Sequence, residues 1–133
     1  VSAYNYPRQY GPQPPSFARA MLPTPGSALP LMLSGTASVV GHRSLHAGHT
    51  LRQLQETFVN FQSLLDSARA HQPGLPAGFG RDSLLKIYLE DQAELAGLEQ
   101  ALPQWLDPQV PRIVLQAAVC RPDLHVEIDG WHR

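Results

Sequence analysis

Six apolar side chains, Leu51, Leu54, Phe58, Phe61, Leu65 and Ala68, recur at alternating spacings of three and four residues, which sets them along one face of an α-helix. A stripe of that length has to be buried, so the chain needs a second layer to cover it. Thr50 followed by Gln53 is a capping-box pattern, and it predicts a helix over about 51–70. Asp91 and Glu94 repeat that pattern ahead of Leu95, Leu98 and Leu102, and Pro103 closes the second helix. The covering layer comes from runs of period two. Leu85, Ile87 and Leu89 alternate with Lys86, Tyr88 and Glu90; Ile113, Leu115, Ala117 and Val119 alternate with Val114, Gln116, Ala118 and Cys120; Val126 and Ile128 stand against His125, Glu127 and Asp129. The run from Leu31 to Val40, rich in small and β-branched residues, reads as a further buried strand. The expected order is strand, strand, helix, strand, helix, strand, strand: an α+β fold with two helices packed on one face of a mixed β-sheet.

Residues 1–30 hold seven of the thirteen prolines, and each fixes its own φ and removes a backbone donor, so no long helix forms there. Tyr4, Tyr6, Tyr10 and Phe17 make this segment too aromatic for a solvated linker. It reads as extended and docked, with a short strand near Ser16–Ala20. At 133 residues, the chain is expected to be a single domain spanning 1–133. It opens on Val1, which suggests a processed protein or a fragment of a longer one. No run approaches the roughly 18 apolar residues of a membrane helix, and no basic-then-apolar leader begins it, so a cytoplasmic protein without a membrane partner is expected. Cys120, the single cysteine, has no internal disulfide partner.

Charge is distributed unevenly. Up to residue 55 the formal charges are Arg8, Arg19, Arg43 and Arg52; from Glu56 onward, six basic and eleven acidic side chains leave −5. Four scattered arginines do not make the continuous basic footprint of a nucleic-acid binder, and a small anion is the better-matched partner. If the last two strands turn on Pro122-Asp123, Cys120 faces His125 and Ala118 faces Glu127. In that register, Ile113, Leu115, Ala117, Val119, Val126 and Ile128 share the core face. Cys120 and Glu127 become diagonal neighbours on the other. Glu127 is then either a solvent-facing acid or, in an apolar interface, a proton donor with a raised pKa. Cys120 is either a small buried hydrophobe or part of the same site. Gly35, inside its strand, marks a bulge or a close approach of ligand or backbone. His42, His46 and His49 lie close in sequence, but glycines interrupt them and the glutamate of an HExxH motif is missing, so no metal site is expected. The phosphate-loop, GxSxG and GxGxxG patterns are also missing.

Four blocks in order, SAYNYPRQYG at 2–11, PPSFARA at 14–20, SGTASVVGH at 34–42 and CRPDLHVEIDG at 120–130, resemble the chorismatases, a branch of the YjgF/RidA superfamily. The resemblance implies a YjgF/RidA-like (chorismate-mutase-like) fold and cleavage of chorismate to pyruvate and a hydroxybenzoate. The 3- and 4-hydroxybenzoates of that branch serve pigment and ubiquinone supply. No metal or organic cofactor is implied. Residue by residue, Glu127 matches the catalytic acid, and Cys120 matches a cysteine that favours 3-hydroxybenzoate. Gly35 matches a glycine that leaves room for the ring. Tyr6, Tyr10 and Arg19, with Arg8 behind them, match carboxylate-holding positions. Chorismatases are longer, so a missing N-terminal domain is implied, and single domains of the superfamily form trimers, so a homotrimer is the other expected assembly. Imine deamination and non-catalytic ligand binding are the rival activities within the superfamily. Arg112, fifteen residues before Glu127, occupies the position on which the deaminases depend.

Overall fold

The computed structural model describes residues 20–24, 28–37, 39–40, 43–44, 49–118 and 124–133. In chain order these form β1 (Ala20–Met21), β2 (Leu31–Thr36), β3 (Val39–Val40), β4 (Arg43–Ser44), α1 (Thr50–His71), β5 (Leu84–Leu89), α2 (Leu95–Ala101), β6 (Arg112–Gln116) and β7 (Val126–His132). Five strands make one mixed sheet in the order β1-β2-β7-β5-β6, while β3 and β4 pair with each other as a separate small hairpin. The run expected as one strand to Val40 therefore breaks after Thr36. Only β5 and β6 are parallel, and α2 lies in the chain between them; the other neighbours are antiparallel. This is the expected α+β architecture.

Both helices face the same side of the sheet. Leu54, Phe61, Leu65 and Ala68 of α1 and Leu98 of α2 join Leu31, Leu33, Leu85, Ile87, Leu89, Val126 and Ile128 in one buried cluster. Each large apolar side chain buried there contributes about 1.5–3 kcal/mol relative to an exposed one. The stripe read from sequence drifts at its start: Leu51 is 47% exposed, and the buried face there belongs to Thr50, Gln53 and Thr57. The loop 72–83 is held by His132, which is fully buried. Its Nε2 lies 2.8 Å from the Pro76 carbonyl, which can only accept, so Nδ1 takes the Ser83 hydroxyl proton at 2.9 Å. Phe79 stands edge-on to His132 and to Phe61.

Two expectations are overturned. The predicted hairpin between the last two strands does not form: β6 and β7 are not neighbours, because β5 lies between them. Glu127 is the Cα partner of Tyr88, not of Ala118, so the register that made Cys120 its diagonal neighbour fails. The core face of β6 is also the reverse of that expected. Ile113 pairs with Lys86 and Leu115 with Tyr88, and these two side chains are 47% and 41% exposed, whereas Val114 packs against the core. Arg-Ile-Val-Leu-Gln is apolar at three successive positions, so alternation alone left either face open, and pairing with β5 decided between them.

The predicted capping box is replaced as well. Helix α1 starts at Thr50 as expected, but no side chain caps it. Thr50 Oγ1 lies 3.1 Å from His125 Nδ1, and Gln53 Oε1 accepts from the His125 amide at 2.7 Å. Both side chains thus anchor the entry to β7. At the second helix Asp91 does cap, accepting from the Ala93 amide at 2.9 Å ahead of a 3₁₀ turn, Gln92–Glu94.

Candidate functional site

β7 is the central strand, and its side chains divide cleanly. Val126, Ile128 and His132 enter the core, while Glu127 and Asp129 stand half-buried on the opposite, open face. Register lays out that face in rows. Met21, Met32, Trp131 and Leu84 form one row; Asp129, Lys86 and Ile113 the next; Glu127, Tyr88 and Leu115 the third. The site is therefore a polar centre of Glu127, Tyr88, Asp129 and Lys86, with apolar side chains on its flanks.

Gly35 closes the third row on the β2 side. Between Leu33 and Thr36, β2 carries one more residue than β7 does between Gly130 and Ile128, so Ser34–Gly35 is a bulge. The Thr36 hydroxyl spans it, donating to the Ser34 carbonyl at 3.0 Å. A Cβ at Gly35 would lie 2.8 Å from Glu127 Cδ and would overlap Oε1. The bulge reading of this glycine is realised, and what approaches it is the side-chain carboxylate of Glu127 rather than a backbone. Gly35→Ala is expected to leave the melting temperature within a few degrees, because the far end of a flexible side chain yields. It is expected to move the carboxylate and to lower about tenfold any turnover that depends on it, since small misplacements of a reacting group are costly. Thermal unfolding beside steady-state kinetics checks both.

The entry to β7 is fixed from the helix side by Gln53, which is fully buried. The Glu90 amide donates to the His125 carbonyl at 3.0 Å, and Glu94 Oε1 lies 3.5 Å from His125 Nδ1. Glu127 is thus two residues beyond His125, which α1 and the end of β5 hold in place.

Asp129 organises the rest of the polar centre. Its Oδ2 accepts from the Tyr88 hydroxyl at 3.0 Å, and Lys86 Nζ lies 3.4 Å from Oδ1. The Asp129 carboxylate, with a smaller contribution from Tyr88, holds the Lys86 ammonium above its ordinary pKa. Oδ1 is buried, and what faces it is that ammonium, as an ion pair. Nothing in the sequence singled out Tyr88, Asp129 or Lys86, although the period-two spacing within each strand was visible.

Of the candidate residues, the structure brings Glu127 and Gly35 together. Cys120, Tyr6, Tyr10, Arg8 and Arg19 lie outside the described residues, as do His42 and His46. Arg112 is elsewhere: its Nε donates to the Val110 carbonyl at 3.0 Å and its Nη2 to the Asp107 carbonyl, so the guanidinium braces the turn before its own strand. Burial there lowers its pKa. It borders a cavity of about 520 Å³ between α2 and β6, lined also by Leu89, Leu95, Leu102 and Val114, which does not include Glu127. Among the described residues no group of three or more His, Cys, Asp or Glu side chains could hold a metal ion, and no helix is long and apolar enough to cross a membrane.

No family model matches the chain. A 3-hydroxybenzoate synthase from Streptomyces hygroscopicus is 34% identical over 98% of the chain. The chain spans about 40% of the length of that relative. The crystal structure of a chorismatase superposes with a TM-score of 0.87 at 28% identity, covering all of this chain and 41% of the other. RidA from an Antarctic Psychrobacter, 17% identical, covers 100% of this chain and 98% of its own with a TM-score of 0.66, a likeness of fold alone. Along nearly its whole length the chain thus resembles chorismatases in sequence and in fold, and that fold is YjgF/RidA-like.

Proposed function

We propose that this chain is the part of a chorismate-cleaving enzyme that carries the acid, Glu127, and that the products are pyruvate and 3-hydroxybenzoate, with 4-hydroxybenzoate as the alternative isomer. The observation that carries the reading is the contact of Gly35 with Glu127. It joins two of the blocks that resemble chorismatases, through residues 92 positions apart, at one point on an open sheet face.

In this reading the Glu127 carboxyl gives its proton to the terminal methylene carbon of the enolpyruvyl ether. The resulting oxocarbenium ion is stabilised by fixed dipoles and charge around it; the ring carbon–oxygen bond then breaks with its electron pair going to oxygen, releasing pyruvate, and the ring gives up a C–H proton to the Glu127 carboxylate as it becomes aromatic, which restores the acid. Chorismate yields pyruvate and hydroxybenzoate with no net uptake of water or electrons, so no redox cofactor is called for. Arg19, with Tyr6, Tyr10 and Arg8, receives the substrate carboxylates, a task suited to a guanidinium fork. Cys120 steers the outcome toward 3-hydroxybenzoate, and Cys120→Ala is expected to change the ratio of isomers more than the affinity. Chromatography of the products measures that ratio.

The apolar side chains of the open face, Met32, Trp131, Ile113 and Leu115, are covered by the remainder of a longer protein or by further copies in a trimer. A cytoplasmic location and supply of hydroxybenzoate for pigment or ubiquinone belong to the same reading. Imine deamination is disfavoured by the hydrogen bonds that tie Arg112 to Val110 and Asp107.

The test is to mix the chain with chorismate and follow pyruvate and the hydroxybenzoate isomers, in parallel with the same chain joined to whatever sequence its gene encodes ahead of it. Release of both products supports the reading, and turnover by the longer form alone assigns the remaining contacts to the added segment. An inert longer form, correctly folded, would remove chorismate cleavage.

A further inference from the structure

Tyr88 stands directly across β5 and β7 from Glu127, at the partner position of the antiparallel pair. Side chains so placed have Cβ atoms about 5 Å apart, close enough to touch one ligand. Its hydroxyl proton is committed. Asp129 lies 3.4 Å from the Lys86 ammonium and, as a carboxylate ion, can only accept, so in the 3.0 Å hydrogen bond between them Tyr88 is the donor. What the phenolic oxygen still offers is acceptor capacity. Asp129 Oδ1 is buried and faces the Lys86 ammonium at 3.4 Å, so the phenolic oxygen is the acceptor turned to the open face.

An acceptor selects for a donor. A substrate carboxylate placed there would set lone pairs against lone pairs, and the neighbouring cation, Lys86, is already paired with Asp129. Chorismate with both carboxylates ionised has one O–H group, its ring hydroxyl. Leu115 flanks Tyr88 on the other side, and with strands roughly 4.8 Å apart, Leu115 to Glu127 spans roughly 10 Å, enough for a six-membered ring.

We infer that the phenolic oxygen of Tyr88 accepts a hydrogen bond from the ring hydroxyl of the substrate and so turns the enol ether toward Glu127, with Asp129 and Lys86 as positioning residues that fix the phenol's proton. The inference rests on the chorismate reading. It makes the ring hydroxyl, and not only the carboxylates, a determinant of recognition.

The experiment measures dissociation constants by calorimetry in the Glu127→Gln background, where substrate persists, for chorismate and for its analogue lacking the ring hydroxyl. It uses the form of the protein that turns over chorismate. Without a further change, chorismate is expected to bind about tenfold more tightly than the analogue, the value of one ordinary hydrogen bond. Tyr88→Phe is expected to abolish that difference by weakening chorismate alone, which loss of structure would not do, since it would weaken both ligands. Asp129→Asn, which keeps the shape but frees the phenol's proton, is expected to narrow the difference, and it carries the comparison if Tyr88→Phe does not fold. An unchanged ratio in both variants overturns the inference and leaves chorismate cleavage standing. Failure of the Glu127-containing protein to turn over chorismate in any form overturns both.

Discussion

Replacing Glu127 by glutamine is expected to cut chorismate turnover about a thousandfold, within the range of a removed general acid, while the fold survives. Glutamine keeps the length and planarity of the side chain, so the space opposite Gly35 stays filled, but it has no proton to give at neutral pH. The loss should fall on kcat, with KM changing little, because the proton moves in the transition state rather than in the bound ground state. Pyruvate release measures it, coupled to a reductase and compared with the unsubstituted protein at matched concentration. A variant that keeps a tenth or more of the activity would take the acid role away from Glu127. Reading kcat separately from KM matters, since a residue that merely bound substrate would show the opposite split.

Gly130→Ala is expected to destabilise the fold by about 3 kcal/mol, the upper end of what overpacking costs. Gly130 lies in the middle of β7 and its φ is +158°. A Cβ there would overlap the Leu84 carbonyl oxygen and lie 3.0 Å from the Leu84 carbonyl carbon and 3.1 Å from Leu85 Cα. These are backbone atoms of the neighbouring strand, already tied into the sheet, and cannot turn aside as the Glu127 carboxylate can opposite Gly35. Thermal unfolding followed by circular dichroism should show a fall of roughly 10 °C. Gly97→Ala serves as the control: nothing lies within 4 Å of its Cβ position, and it is an interior residue of α2. There the substitution should be neutral or stabilise by up to about 1 kcal/mol. Equal melting temperatures for the Gly130 variant and the control would mean that β5 and β7 can separate at no cost.

The difference between these two glycines was not legible in the sequence. Gly35 lay inside a run read as a buried strand, where a glycine suggests a bulge; Gly130 follows Asp129 near the end of the chain and carried no such signal. Only the register against Leu84 makes it indispensable. Thr50 and Gln53 show the same limit in reverse. Their spacing located the helix start correctly, but the hydrogen bonds went to His125, 75 and 72 residues away, because a tertiary partner outcompeted the local amides.

Local order is what the sequence by itself determined: where α1 runs, where β5, β6 and β7 lie, and that two helices had to share one face of a sheet. These follow from side-chain periodicity and capping chemistry, which act over a few residues. Which strand lies beside which was decided only in three dimensions. Pro122-Asp123 favoured a local hairpin, but β6 pairs in parallel with β5 and leaves β7 at the centre of the sheet. That choice turned Ile113 and Leu115 outward and set Tyr88, not Ala118, against Glu127. Strand neighbours are chosen by the burial of whole faces and by hydrogen bonds between distant segments, and neither is encoded in the spacing of residues along a single strand.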